Sequence, residues 1–401
     1  MPVPDQSSNS YPVSGERNEP VAVVGGSAAG LFTAYLLARS RVPVRVFEQS
    51  PSIDPVARTL IVTRRMNDLL GDVGSASIVN EIRKFELFTD GRAATVTLDQ
   101  PDLIIERAAL IRSLAEHAQK AGAQISFGRN FRGLNGDQSK ITLELEHAAE
   151  NRTEQFSAQT VVAGDGASSR VAHAAGWPKS KTVPLVQAIV PLPKDMSPDT
   201  VRVWFVPADT PYFYWLIPES AERGALGLIG EVGSEARRYL EAFLVKRNLE
   251  PIAFQGARIP VYTRWVPVQK KLAGGDVFLV GDAADQVKVS TVGGIVTGLR
   301  GAAGVAEAIL RGGASRELRE LRRELDLHLL VRRAMHHFTQ DDYSRLVDSL
   351  NAPAKRSLSR YSRDEALKVL WRVCASQPRL ILMGLRGILT HGRSFGSTNN
   401  P

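Results

Sequence analysis

The first strand of the chain and the glycine-rich turn after it constrain the fold most strongly. An apolar run at 20–24 leads directly into Gly25-Gly26-Ser27-Ala28-Ala29-Gly30, a helical pattern follows, and a second apolar strand ends at Glu48. Glycines at such a turn let a pyrophosphate approach the backbone, and an acid about 20 residues later can accept ribose hydroxyls. Ser27 stands at the middle glycine position and is small enough to be tolerated. The stretch predicts a βαβ unit with a dinucleotide site.

Two later segments repeat the order of strand, Gly-Asp turn and helix. One lies at 160–170. In the other, Gly281-Asp282 follows an apolar run, and Gly293-Gly294 precedes a helical pattern that begins at Ile295. A helix start offers unpaired N–H groups and a partial positive charge, which favour phosphate or an anionic ring edge. These segments predict further contacts with the same ligand.

The middle of the chain, 183–268, predicts strands. Short apolar or alternating runs punctuated by proline recur there, which is typical of an antiparallel sheet. Asp90-Gly91 lies between two more candidate strands and predicts a hairpin. The glycine-rich run 224–230 lies in this β-rich sequence, where we expect neither a following helix nor an acid, so we predict no second, nicotinamide-binding fingerprint.

Four consecutive aromatic residues stand out in this β-rich segment, at 212–215. On a strand, Phe213 and Trp215 would share one face, and Tyr212 and Tyr214 the other. One face would enter a core, and the other would line an apolar cavity. Simple packing on both faces is the competing interpretation.

Composition restricts the class of protein. Hydrophobic residues make up 43% and charged residues 23% of 401, as in an ordinary soluble globular protein. The single cysteine, Cys374, excludes an internal disulfide and a cysteine-rich metal site, so we expect a reducing cytoplasm. No apolar run approaches the roughly 18 residues that a spanning helix needs. We assign no metal site, and His336-His337 is expected at the surface.

The positive charge is concentrated near the C-terminus. Residues 311–393 hold 17 Lys and Arg against 9 Asp and Glu, an excess equal to the net charge of +8 of the whole chain. A solvated helical face is the commonest reason for such a pattern, and attraction to anionic lipid is another. We do not expect nucleic acid as a partner. The apolar run 380–389 is too short to cross a bilayer, but it could lie on a membrane face or dock on the protein's own core.

The three strand-turn-helix sites, in this order over 19–312, resemble the FAD-dependent oxidoreductases of the glutathione-reductase-like class with aromatic-hydroxylase topology. Within that class the chain is most similar to the geranylgeranyl reductase family. The resemblance rests on four segments. They are a flavin loop at 281–295, a pre-strand segment at Arg258-Ile259-Pro260, a flavin-contacting arginine in Glu106-Arg107, and an aromatic substrate motif at 213–218.

The chain departs from the family pattern at three positions. Val289 replaces a usual proline, Val292 a usual glycine, and Ile217 the second aromatic residue of the substrate motif. The segment 213–218 also resembles a signature of flavin-dependent halogenases, but those enzymes add a lysine early in the chain. No lysine occurs between Val44 and Ile82, so halogenation is disfavoured.

The resemblance implies FAD as cofactor, with its pyrophosphate at the glycine turn and its ring at the backbone of Gly294 and Ile295. It implies no nucleophile of the protein, since the hydride comes from the flavin, and we assign no catalytic residue. NAD(P)H or another donor would bind transiently. The predicted cofactor-binding residues are Gly25, Ser27, Ala28, Ala29, Gly30, Glu48, Arg58, Thr59, Arg107, Asp282, Gly293, Gly294 and Ile295, and the substrate-pocket candidates are Tyr212, Phe213, Tyr214, Trp215 and Ile217.

The predicted fold class is α/β, a Rossmann-like FAD-binding domain with an inserted antiparallel substrate domain and a helical C-terminal segment. We assign 19–82, 104–180 and 273–312 to the FAD-binding domain and 83–103 and 181–272 to the substrate domain. A disordered tail at 1–18 and a helical region at 313–401 complete the prediction.

Three functions remain open at this point. The first is a reductase of double bonds in a prenyl or other lipophilic substrate. The second is a flavin monooxygenase of an aromatic or polyketide-like compound, and the third is a basic binding protein that has kept a flavin fold. We expect a cytoplasmic protein, with contact to a membrane surface and the oligomeric state left open.

Overall fold

The computed structural model describes residues 19–361 and Asp364. The predicted tail at 1–18, Cys374 and the apolar run 380–389 lie outside the described residues. Among the residues that are described, no helix has the combined length and hydropathy that a transmembrane span requires.

The strands carry the labels used below. They are β1 (Val21–Val24), β2 (Val44–Phe47), β3 (Thr59–Val62), β4 (Ile78–Thr89), β5 (Arg92–Glu106), β6 (Gln124–Ser126), β7 (Arg129–Gly136), β8 (Ile141–His147), β9 (Arg152–Ala158), β10 (Thr160–Ala163), β11 (Thr182–Pro191), β12 (Thr200–Trp204), β13 (Tyr214–Pro218), β14 (Arg223–Ile229), β15 (Ala253–Pro260), β16 (Gln269–Leu272) and β17 (Gly275–Leu279).

The helices are labelled in the same way, and a 3₁₀ turn at Gly281–Ala284 precedes the seventh. They are α1 (Ala28–Arg39), α2 (Arg65–Leu70), α3 (Asp72–Ser75), α4 (Arg107–Lys120), α5 (Arg170–Ala174), α6 (Gly233–Lys246), α7 (Ile295–Arg311), α8 (Arg316–Met335), α9 (Gln340–Asp348) and α10 (Ala352–Arg360).

A six-stranded sheet carries the glycine turn. Its order is β16-β17-β10-β1-β2-β6, and all neighbours are parallel except β16 and β17. Every residue of β1 is buried, as in parallel strands that are covered on both faces. Because β1, β10 and β17 are neighbours, the three predicted turns leave the same edge of the sheet. The α/β fold class is confirmed.

An eight-stranded sheet forms the second layer, in the order β15-β11-β14-β13-β12-β4-β5-β3. It is antiparallel, as the sequence predicts, except that β12 and β4 pair in parallel. β3 pairs with β5 in this sheet, although residues 59–62 fall within the range assigned from sequence to the FAD-binding domain. A four-residue apolar run does not reveal which of two sheets it joins.

Helix α6 interrupts the segment that the sequence predicts as strands only. Its buried residues, Ala236, Leu240, Phe243 and Leu244, have the spacing of three and four that is typical of one helix face. The helix follows the glycine run 224–230, so the expectation of no helix after that run was wrong. β14 nevertheless pairs antiparallel on both sides and lacks the parallel βαβ setting of a nucleotide fingerprint.

Two smaller parts complete the fold. One is a three-stranded antiparallel meander, β7-β8-β9, in which the residues of β8 alternate between buried and half-buried. The predicted C-terminal helical region contains α8, which packs on α7, and α9 and α10, which pack on β5.

Candidate active site

The glycine turn after β1 is tied to both neighbouring strands. Gly25 donates its N–H to the Phe47 carbonyl at 2.8 Å, and Gly164 donates to the Val24 carbonyl at 2.8 Å. Gly25 has a φ of 101°, and a Cβ there would lie 2.5 Å from the Gly164 oxygen. Both the backbone conformation and the close approach therefore require glycine at this position.

The N-terminus of α1 opens beside this turn. Ser27 is the N-cap, and its hydroxyl accepts the Gly30 N–H at 3.2 Å. Glu48 lies next to it: one carboxylate oxygen accepts the Gly26 N–H at 2.6 Å and the other accepts the Ser50 N–H at 2.9 Å. These hydrogen bonds fix the orientation of the carboxylate at the end of β2.

Three charged side chains converge across from the glycine turn: Arg58, Arg107 and Asp282. Burial, and then repulsion from Arg107, lower the pKa of Arg58 to about 10, and Asp282 opposes this shift. Burial also lowers the pKa of Arg107 and raises that of Asp282. Glu106 also opposes the shift of Arg107 but does not line the cavity that the three side chains share, so the cavity side of this cluster presents two guanidinium groups and one carboxylate. The excess of positive charge suits an anionic ligand.

The loop from Gly281 to Ile295 is fixed by its own hydrogen bonds. The Gln286 side chain accepts the Gly281 N–H at 2.7 Å, and the Lys288 N–H donates to the Gly293 carbonyl at 3.1 Å. Val292 has a φ of 55°, a left-handed conformation that is rare for a β-branched residue. This is the position at which the resembled family usually has glycine.

One cavity of about 500 Å³ joins the loops of the six-stranded sheet to the face of the eight-stranded sheet. Its walls on the sheet side are mainly aliphatic and aromatic. The predicted residues that line it are Ser27, Ala28, Ala29, Arg58, Thr59, Arg107, Asp282, Gly293, Gly294 and Ile295, together with Phe213, Trp215 and Ile217. Gly25, Gly30 and Glu48 do not line it.

The aromatic residues at 212–215 do not simply alternate between the two faces of a strand. Tyr214 stacks on Phe243 with a centroid distance of 4.0 Å and donates its hydroxyl to Asp209 at 2.9 Å, away from the cavity. Tyr212 precedes β13 and lies under the guanidinium of Arg332, 3.8 Å from its ring centroid. Neither tyrosine lines the cavity: Tyr214 faces the opposite core, and the ring of Tyr212 packs against Arg332.

Several residues that line the cavity have no counterpart among the predicted site residues. Gln187 comes from β11, and Lys288 and Ser290 come from the flavin loop at 281–295. Lys288 is buried and forms an ion pair with Asp364, whose second oxygen accepts the hydroxyl of Thr63. Lys288 lies in the flavin loop at 281–295, and a lysine between two valines was the signal available in the sequence.

His336, which the sequence analysis expects at the surface, is only partly exposed. It is half-buried at the end of α8, beside His337, with a ring-centroid distance of 4.8 Å. Burial, and then the charge of Arg332, lower the pKa of His336 to about 4, so its ring is neutral at pH 7. Within residues 19–361 and Asp364, no group of three His, Cys, Asp or Glu side chains is arranged to hold a metal ion.

The family model described as FAD binding domain matches residues 18–321. The chain belongs to this family. It is an FAD-dependent oxidoreductase, and the geometry above is that of an FAD-binding fold.

Curated relatives and solved structures that resemble the chain are also oxidoreductases or related flavin enzymes. The chain is 27% identical to a digeranylgeranylglycerophospholipid reductase of Methanocaldococcus jannaschii, over 82% of this chain and 90% of that one. It is 27% identical to a geranylgeranyl diphosphate reductase of Rhodobacter capsulatus, over 74% and 77%. A geranylgeranyl bacteriochlorophyll reductase-like protein of Thermoplasma acidophilum has a TM-score of 0.74 at 20% identity, over 92% and 100%. A flavin-dependent monooxygenase solved with FAD and substrate has a TM-score of 0.63 at 16% identity, over 90% and 72%.

Proposed function

We propose that this protein uses FAD to reduce carbon–carbon double bonds of a prenyl or other lipophilic substrate. The observation that carries the proposal is the single cavity in which the flavin-loop residues and an apolar sheet face meet. A mainly apolar wall suits a hydrocarbon chain, because contact with it removes the chain from water. The names of the relatives, which are reductases of geranylgeranyl groups, support the same substrate class.

The residues present fit FAD. Arg58 and Arg107 supply more positive charge than Asp282 balances, and Arg58 Nε is buried without a hydrogen-bond partner among the described residues. We assign the pyrophosphate to the glycine turn and the start of α1, the ribose to Glu48, and the ring to the backbone at Gly293–Ile295. FAD supplies hydride chemistry when bound, and the protein positions the substrate and excludes water.

The test uses the purified protein with its flavin reduced anaerobically. We expect prenyl diphosphates or prenyl lipids to gain two hydrogens, read by mass spectrometry, while the flavin is reoxidised. If no prenyl compound gains two hydrogens, the proposal is wrong.

Monooxygenation of an aromatic compound is the second candidate function. The polar side chains of Gln187, Lys288 and Ser290 are part of the cavity wall, and they could also meet the polar substituents of an aromatic compound. Aromatic substrates should then stimulate oxygen uptake and gain one oxygen atom. A reductase instead reacts without oxygen, so the two candidates differ in one measurement.

The electron donor and the cellular setting also belong to the proposal. The described sheets offer one glycine fingerprint in a βαβ setting, so we assign NAD(P)H or a carrier protein to a transient encounter. Helix α8 exposes Arg319, Arg322 and Arg323 on its outer face, and we propose that this face contacts anionic membrane from which a lipid substrate is taken.

A further inference from the structure

A chain of polar side chains leads away from the cavity through α8. Ser290 lines the cavity, and its hydroxyl oxygen lies 2.5 Å from Nδ1 of His328. His328 is 4% exposed. Its Nε2 lies 3.9 Å from Oε1 of Glu324, an ion-pair distance that a small side-chain rotation would shorten to a hydrogen bond.

The chain continues toward solvent from Glu324. Arg300 binds both Glu324 and Glu317 through its guanidinium. The side chain of Glu324 is 10% exposed and that of Glu317 is 25% exposed, so the network reaches the outside of the protein along one helix. Arg300 stays protonated and only holds the carboxylates, so the groups able to pass a proton are the histidine and the acids.

Reduction of a double bond needs such a route. The π bond breaks and two C–H bonds form: one carbon receives a hydride, which the reduced flavin supplies under the function proposed above, and the other receives a proton. The sheet side of the cavity is mostly apolar, so the proton needs a dedicated path.

We propose that Ser290, His328 and Glu324 form this proton path. Ser290 gives its hydroxyl proton to the substrate and takes the Nδ1 proton of His328. His328 changes tautomer by accepting a proton at Nε2 from Glu324, and Glu324 is reprotonated from solvent. The inference rests on the proposed reductase function.

The surroundings of Glu324 fit this role. Burial raises its pKa, with Asp364 adding to the shift and Arg300 and Lys288 opposing it, so the proton-carrying form persists at higher pH than in an exposed glutamate. Lys288, which also lines the cavity and is held by Asp364, is the competing donor.

The experiment measures anaerobic reoxidation of the reduced holoenzyme by stopped flow, in H₂O and D₂O. Two acceptors are used: a prenyl lipid, and menadione as a lipophilic probe that takes one hydride and one proton. We expect S290A and H328N to slow reoxidation about tenfold or more and to enlarge the solvent isotope effect, because proton delivery becomes limiting. S290T should recover most of the rate. H336N, a substitution at the end of the same helix but off the cavity wall, should behave as wild type.

Three outcomes would overturn the path. The first is a wild-type rate and isotope effect in S290A, which keeps the loop backbone, or in H328N with an unchanged melting temperature. The second is an enlarged isotope effect in K288M alone, which would assign the proton to Lys288. The third is a wild-type protein that is inert to both acceptors. If wild type reduces menadione but adds no hydrogen to prenyl lipids, the substrate class fails and the path is still decided by the variants.

Discussion

At the scale of single residues, Val292 shows how one side chain records a departure from a family pattern. Its φ of 55° costs of order 1–3 kcal/mol for a β-branched residue. Glycine at this position removes that strain but loses some burial and adds entropy to the unfolded chain.

We therefore expect V292G to leave the free energy of unfolding unchanged or to raise it by about 1 kcal/mol, as measured by urea denaturation. V289A is the comparison. Val289 is 3% exposed and does not have a positive φ, so its truncation should lower the free energy of unfolding by about 2 kcal/mol. If V292G lowers the free energy of unfolding as much as V289A does, Val292 is not strained.

Arg58 and Arg107 carry the second prediction at this scale. Replacing either with methionine keeps an unbranched apolar stem but removes one of the two positive charges that face Asp282. We expect FAD to bind about tenfold more weakly or worse in each variant, because a charge-assisted hydrogen bond contributes about 1.5–3 kcal/mol. Fluorescence titration of the apoprotein measures this. K120M, an exposed position on the helix that begins at Arg107, is the control, and equal FAD affinity in all three variants would refute the assignment.

At the scale of elements, the sequence predicted the parts of the site that are encoded locally. Each loop that leaves β1, β10 and β17 carries its own glycine or Gly-Asp signal, so the loop residues could be named before the structure. On the opposite wall of the cavity only the aromatic segment was named from the sequence. Leu185, Val203 and Ile229 could not be, because they come from three separate strands whose pairing no local pattern shows. The contact of Ser290 with His328 likewise depends on how α8 packs.

The end of helix α8 gives a prediction on pH. His336 has a folded pKa near 4, below the unfolded value of about 6.5. Its contribution to stability is complete above pH 6.5 and is lost as the pH falls through 4, because only the unfolded chain takes up the proton in that window. Melting temperatures of wild type should therefore fall more steeply between pH 6.5 and 4 than those of H336Q. Parallel curves would show that burial does not keep this ring neutral.

At the scale of the whole molecule, the distribution of charge bears on where the substrate comes from. Arg322 and Arg323 are exposed on α8, and a basic residue near an anionic membrane surface contributes about 1 kcal/mol to binding. We expect the protein to float with vesicles that contain phosphatidylserine, less with phosphatidylcholine alone, and the R322E/R323E variant to bind at least tenfold more weakly. The variant R132E/R152E changes the net charge equally on the small meander, where both side chains are exposed, and should bind as wild type does. If both variants lose vesicle binding equally, net charge rather than the face of α8 governs the attraction. Binding through a specific surface must depend on where the arginines lie.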